Sequence, residues 1–243
     1  MKRTERHHLK ENEVRLLTQQ ARALVTSHTR ETTAVMVALA VIGVLAIGYY
    51  AWHERLQARA HEMLAAAMTV QDARVAPAPP PGGTAVVVPG SYPSEQARAA
   101  AALVKLKAAA DAYPSTDAGI YARYQEATTL MSLGRPGEAA SRYQDVIARA
   151  GSGLYGQTAR LGLAQAQARA GQYDQAINGY KELAQRKDGP LPVDGILMQL
   201  GQTYLEAGKR ADAQQTFNRV VDEYPSSPYS AEAKQQLDSL KKS

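Results

Sequence analysis

The sequence predicts an all-α protein in which a single transmembrane helix precedes an α-solenoid of three full 37-residue repeats with flanking helices. Three observations carry that reading. No charged side chain stands between Glu31 and His53. Glycines recur at 134, 171 and 208 with matching residues around each, and a Pro- and Gly-rich stretch at 75–93 separates the two patterns.

The uncharged run is TTAVMVALAVIGVLAIGYYAW, residues 32–52. At 1.5 Å per residue it makes a helix of roughly 32 Å, against a hydrocarbon core of roughly 30 Å. Tyr49, Tyr50 and Trp52 crowd its C-terminal end, where amphipathic rings sit at headgroup level. A buried core helix of a soluble protein would usually be shorter and keep a polar stripe. Cleavage near Ala58-Arg59-Ala60 is disfavoured as well. The apolar run exceeds the roughly 7–15 residues of a signal-peptide core. The 31 residues before it carry four Glu, which an n-region does not. The run reads as an uncleaved signal anchor in contact with the lipid bilayer through residues 32–52.

Charge gives the orientation. Residues 1–31 hold seven Lys/Arg and four Glu, whereas the 18 residues after the span hold only Arg55 and Arg59. The positive-inside rule places this basic tail in the cytoplasm. The C-terminal domain is then periplasmic, and the protein is a single-pass component of a bacterial inner membrane. Residues 53–243 carry 21 basic and 19 acidic residues. With no concentrated basic face, nucleic acid is not an expected partner. The chain has no Cys, which excludes disulfides, thiolate metal sites, Cys nucleophiles and a lipidated N-terminal Cys.

Within the tail, Val14, Leu17, Ala21 and Leu24 follow a helical spacing between Leu9 and Val25. Either a docking helix or a simple basic retention signal fits. Past the span, Leu56, Ala60, Met63, Ala67 and Val70 recur at alternating spacings of 4 and 3, so the helix is expected to continue through a stretch at 53–74. It either packs on the following domain or stands as a stalk. A weak homodimer through it is the lesser option, since two heptads fall short of a coiled coil. Residues 75–93, with four Pro between 77 and 81, are expected to be an extended linker.

The repeat domain occupies 94–243. Three segments superimpose without gaps: GRPGEAASRYQDVI from Gly134, GQYDQAINGYKELA from Gly171 and GKRADAQQTFNRVV from Gly208. In each, Ala follows at the fifth position (Ala139, Ala176, Ala213) and an aromatic at the ninth (Tyr143, Tyr180, Phe217). A small residue stands seven positions before each glycine: Ala127, Ala164 and Gly201. The glycine ends one helix in the left-handed conformation that needs no Cβ. The small residues let antiparallel helices approach, and the aromatic, one helical turn after the Ala, fills the space toward the next unit. One pair cannot cover its apolar face, so units must stack.

The phase extends both ways. Ala102, Leu106 and Ala109 obey the rule one period upstream, and Tyr113-Pro114-Ser115 matches Tyr224-Pro225-Ser226 three periods later. Residues 94–113 thus form one helix of an incomplete leading unit, and SPYSAEAKQQLDSLKKS is a closing helix with a polar outer face.

The small residue, Gly, Ala, aromatic and Pro at these offsets resemble the tetratricopeptide (TPR) pattern. Glu126 stands where Leu is usual, Gln167 where Tyr is usual, and no unit has the early Trp. The YPSSP ending, the basic tail, the single span and the repeat domain together are similar to one family. It unites the ancillary SecYEG translocon subunit with the TPR domain of the cell-division coordinator CpoB. That resemblance implies a scaffold beside the translocon whose partners are translocon subunits, periplasmic chaperones or secreted chains. The alternative is a structural organiser of envelope or division machinery.

Catalysis is not expected. The five His all precede residue 62, and no phosphate-loop, zinc-protease or nucleophile-elbow motif occurs. Pairs such as Asp222/Glu223 read as exposed helix faces. No catalytic, cofactor or metal residue is assigned. A solenoid's working surface is the face lined by the first helix of each unit. Six residues before each glycine stand Thr128, Gln165 and Gln202; two before stand Ser132, Arg169 and Glu206. These are the candidate peptide contacts. They lack the Lys/Asn pattern that would clamp a C-terminal carboxylate.

Overall fold

A computed structural model of the chain describes residues 29–76, 89–186 and 189–242. The helical pattern at 9–25, most of the basic tail, and residues 77–88 of the linker lie outside the described residues. The chain divides into two compact units, residues 1–55 and 56–243.

The first unit contains the apolar part of α1 (Thr29–Gln71). α1 is long and apolar enough to cross a membrane, and none of its most apolar stretch is buried within the chain. Ile42, Leu45 and Ile47 are among its exposed side chains.

The second unit takes in the rest of α1 and eight further helices: α2 (Glu95–Ala112), α3 (Asp117–Ser132), α4 (Pro136–Ala150), α5 (Leu154–Arg169), α6 (Tyr173–Ala184), α7 (Val193–Glu206), α8 (Arg210–Glu223) and α9 (Ser230–Lys242). From α2 onward each packs on its neighbour in the chain, and α3 also touches α5. The pairs α3/α4, α5/α6 and α7/α8 are the three repeats, so first helices face first helices across the stack.

The glycine rule holds at atomic detail. Gly134, Gly171 and Gly208 have φ of 72°, 75° and 73°. After α3 the Arg135 N–H donates to the Leu130 carbonyl at 2.9 Å, after α5 Gln172 donates to Gln167 at 2.8 Å, and after α7 Lys209 donates to Tyr204 at 2.8 Å. These are the six-to-one bonds of a Schellman motif, satisfying carbonyls that the helix end would otherwise orphan. The aromatics are buried as expected: Tyr143, Tyr180 and Phe217 are at most 3% exposed. A Cβ on Gly201 would overlap the Phe217 ring, and one on Gly162 would lie 2.5 Å from Tyr143 Cζ. Small residues on the first helices are therefore seats for the rings of the second.

The leading unit is more complete than the repeat phase suggests. Leu64, Ala67 and Val70 of α1 pack with Ala102 and Leu106 of α2, while Met63 and Leu64 reach Ala109, Ala110 and, on α3, Ala122. Residues 56–71 thus lie where the missing first helix belongs. The ends of the linker are joined to each other: Tyr92 N–H donates to the Arg74 carbonyl, Ala76 N–H to the Tyr92 carbonyl, both at 2.9 Å. Arg98 Nη1 adds a bond to the Ala73 carbonyl at 3.0 Å. At the far end α9 buries Ser230, Ala233 and Leu237 and turns its Lys and Gln side chains outward, closing the stack.

Candidate protein-binding face

Four of the six candidate contact residues come together. Gln165 and Arg169 on α5, and Gln202 and Glu206 on α7, line one groove of about 310 Å³. Its floor includes Tyr180, from the intervening α6, with Gln199 and Thr203 of α7. The repeat period causes this: residues at equal phase on adjacent first helices are neighbours across the seam.

Gln199 organises the floor. Its Oε1 accepts from Gln165 Nε2 at 2.9 Å and from the Tyr180 hydroxyl at 3.1 Å. Burial, followed by the nearby Glu206 carboxylate, pushes the Tyr180 hydroxyl pKa far above its ordinary value. Tyr180 therefore stays a neutral donor at any physiological pH. Thr203 returns its hydroxyl to the Gln199 carbonyl at 2.8 Å, and Gln202 Nε2 reaches Glu232 of α9 at 3.1 Å. The Arg169 and Glu206 side chains are exposed at the rim, near enough to the Tyr180 hydroxyl to act on it electrostatically. The groove thus offers an organised amide floor with the Arg169 cation and the Glu206 anion at its rim.

Thr128 and Ser132 sit apart from this groove, on α3. The Thr128 hydroxyl donates to the Tyr124 carbonyl at 3.1 Å and lies 3.2 Å from the Tyr143 hydroxyl; Ser132 donates to the Thr129 carbonyl at 2.8 Å. The packing residues Ala139, Ala176 and Ala213 are fully buried beside their aromatics.

Sequence reasoning missed Tyr180, Gln199 and Thr203 as members of the face. Gln199 is three residues from Gln202 and so shares its helical face, a signal that was present. Tyr180, which the repeat spacing assigns to packing, also lines the groove. Also missed was a run of rings toward the N-terminal ends of α3 and α5. Tyr124 meets Tyr143 edge-on at 5.8 Å, Tyr121 stacks with Tyr124 at 6.5 Å, and Tyr155 lies 5.5 Å from Tyr121. Among the described residues no group of three or more His, Asp or Glu converges as a metal site would require.

A family model for the tetratricopeptide repeat-like domain matches residues 28–242. The chain belongs to the tetratricopeptide repeat-like family. The match takes in the apolar helix as well as the solenoid. Members of this repeat class are generally non-catalytic scaffolds that bind protein partners. No curated protein matches the chain significantly. Among solved structures, the nearly identical TPR-like repeats attributed to a kinesin light chain of Podosopora anserina are 13% identical. They give a TM-score of 0.56 over 76% of this chain and 86% of that one. A variant crystal of the same repeats, also 13% identical with a TM-score of 0.56, covers 76% of this chain and 85% of its own. The crystal structure of MamA is 15% identical and covers 59% of this chain and 77% of that one, with a TM-score of 0.49. At 13% identity the likeness to the kinesin light chain repeats is one of TPR fold.

Proposed function

We propose that this TPR protein is a membrane-anchored, non-catalytic scaffold and an ancillary factor at the secretion translocon, contacting emerging chains or their chaperones in the periplasm. In this reading residues 1–31 are the cytoplasmic tail, 32–52 the span, 53–74 and 75–93 the connecting helix and linker, and 94–243 the periplasmic domain. The observation that carries it is the groove between α5 and α7. Its amide floor is held in place by Tyr180, and Arg169 and Glu206 are exposed at its rim. Amides that both donate and accept suit the backbone of a polypeptide whatever its sequence. The combination of basic tail, single span and repeat domain supports the translocon assignment by resemblance.

In-cell photocrosslinking from Gln165 and Gln202, with Tyr49 as a membrane-level probe, tests the proposal. The expected result is translocon subunits captured at position 49 and many different secreted chains at 165 and 202. Capture of one division or peptidoglycan protein, without the translocon, would instead make the protein an envelope organiser.

A further inference from the structure

The second repeat keeps a cavity where the first has a filled ion network. In the first, Arg123 of α3 donates to Glu126 and to Asp111, and Arg142 of α4 reaches Glu126 and Asp145. One 37-residue period later Arg160 stands for Arg123, but Leu163 replaces Glu126, Ala148 replaces Asp111 and Gly179 replaces Arg142. One arginine has lost both of its carboxylates, and the other has given way to a residue without a side chain. The third repeat refills these positions with Leu197, Leu200 and Thr216, all buried. In the second, Arg160, Leu163 and Gly179 line a cavity of about 210 Å³ formed by α4, α5 and α6. It shares no lining residue with the groove between α5 and α7.

We propose that this cavity binds a small hydrophobic monocarboxylate. Its carboxylate accepts from the Arg160 guanidinium, as Asp111 and Glu126 do from Arg123, and its apolar body rests on Ile147, Leu163 and Leu183 in the space beside Gly179. The site is separate from the scaffold reading above and does not depend on it. Three features fix the occupant. Arg160 is half-buried, and its Nη1 donates to the Gly151 and Gly156 carbonyls at 3.0 and 3.3 Å. Those neutral acceptors orient the guanidinium without cancelling its charge, whereas a carboxylate makes the stronger charge-assisted bond. Glu182 and Arg186 also line the cavity; four residues apart on α6, with the Glu first, they offset each other and leave the excess charge positive. The remaining walls, Ile147, Leu163 and the buried Leu183, are hydrocarbon. Size sets the last limit. A dry cavity of roughly 150 Å³ holds benzene, so this one takes a single ring or a branched chain of similar bulk with a short acid arm. It falls below the roughly 300–1,000 Å³ of sites for larger ligands, which excludes a nucleotide or a long acyl chain.

The test follows the Ile and Leu methyl signals of the full chain in lipid nanodiscs by NMR. The probes are 3-phenylpropionate and two molecules of the same shape, 3-phenylpropanol and 3-phenylpropylamine. The acid is expected to shift the Ile147, Leu163 and Leu183 methyls saturably and to bind roughly fivefold or more tightly than the alcohol or the amine. Arg160→Gln should erase the preference for the acid and leave the weak binding of the alcohol. The double replacement Leu163→Glu with Gly179→Arg copies the first repeat's network into the second and should abolish acid binding. Unchanged methyl signals from the third repeat would show that this variant has lost the site and not the fold. Tighter binding of acetyl-Gly-Gly-Phe with a free carboxylate than of phenylpropionate would give the site to protein C-termini and overturn the small-acid assignment. No saturable shift at these methyls, equal binding of acid, alcohol and amine, or an acid preference that survives Arg160→Gln would overturn the site itself. Each of these outcomes leaves the clients captured at 165 and 202 to be judged separately.

Discussion

The first and third repeats place the same backbone around different interiors. In the third, Leu197 and Leu200 of α7 are 0% and 4% exposed and pack with Ile196, Met198 and Phe217. Two periods earlier the corresponding residues of α3 are Arg123 and Glu126, equally buried at 6% and 2%. Arg123 Nη1 donates to Glu126 Oε2 at 2.8 Å, and Nη2 to Asp111 Oδ1 of α2 at 2.5 Å. Arg142 of α4 approaches Glu126 Oε1 at 3.2 Å and Asp145 at 3.1 Å. One repeat is thus filled by dispersion and burial, the other by an ion network joining the leading unit to the first repeat. The second is intermediate: Leu163 replaces the Glu, and Arg160 turns to the Gly151 and Gly156 carbonyls. The TPR backbone requires a volume at these positions and a ring seated on a small residue; it does not require that the volume be apolar.

Removing the filler is the strongest way to break the comparison. Phe217→Ala should cost about 3–5 kcal/mol. Because neighbouring repeats are coupled only at their interfaces, the loss of amide protection should concentrate in α7, α8 and α9, as hydrogen exchange would show. Glu126→Ala should cost about 3 kcal/mol by leaving Arg123 buried with only Asp111 as partner, and should loosen α2–α4 instead. The sharper variant is the double replacement Arg123→Leu with Glu126→Leu, which copies the third repeat into the first. Urea denaturation should find it neutral or more stable, since buried ion pairs seldom outdo well-packed apolar residues.

Gly201→Ala, by pushing a methyl against the Phe217 ring, should cost about 1–3 kcal/mol; a second change, Phe217→Leu, should recover part of it. The smallest effect is that of acid on the network. The Asp111 carboxyl is held below its ordinary value, chiefly by the hydrogen bond from Arg123. A depressed folded pKa means stability that is present above the unfolded value, near pH 4, and is lost as pH falls through the folded one. Half of the Asp111 side chain is exposed, so the contribution is below about 1 kcal/mol. Melting temperature should therefore drop slightly faster below pH 4 in the parent than in Asp111→Asn.

The parts of this fold that were legible in the sequence are those set by spacing. Gly134, Gly171 and Gly208 announced their helix ends, because only a residue without Cβ takes that conformation cheaply. Gln165, Arg169, Gln202 and Glu206 could be placed on one face by period alone. Residues 56–71 could not be recognised as the first helix of the leading unit, because the linker separates them from α2 and breaks the 37-residue phase. Glu126 looked like a departure from the repeat pattern. It is the centre of a network whose members come from three helices, and no local rule joins Asp111 to Arg142. The tyrosine run was hidden for a similar reason, since Tyr121 and Tyr155 are 34 residues apart and meet only once α3 and α5 are stacked.

The most direct measurement of the central claim, that the face lined by the first helices receives polypeptide, is hydrogen exchange on the full chain in nanodiscs with and without a saturating unfolded client. Added protection on α3, α5 and α7, greatest around Gln165 and Gln199, is the predicted result. Protection confined to α4, α6 and α8, or none at saturation, would contradict it.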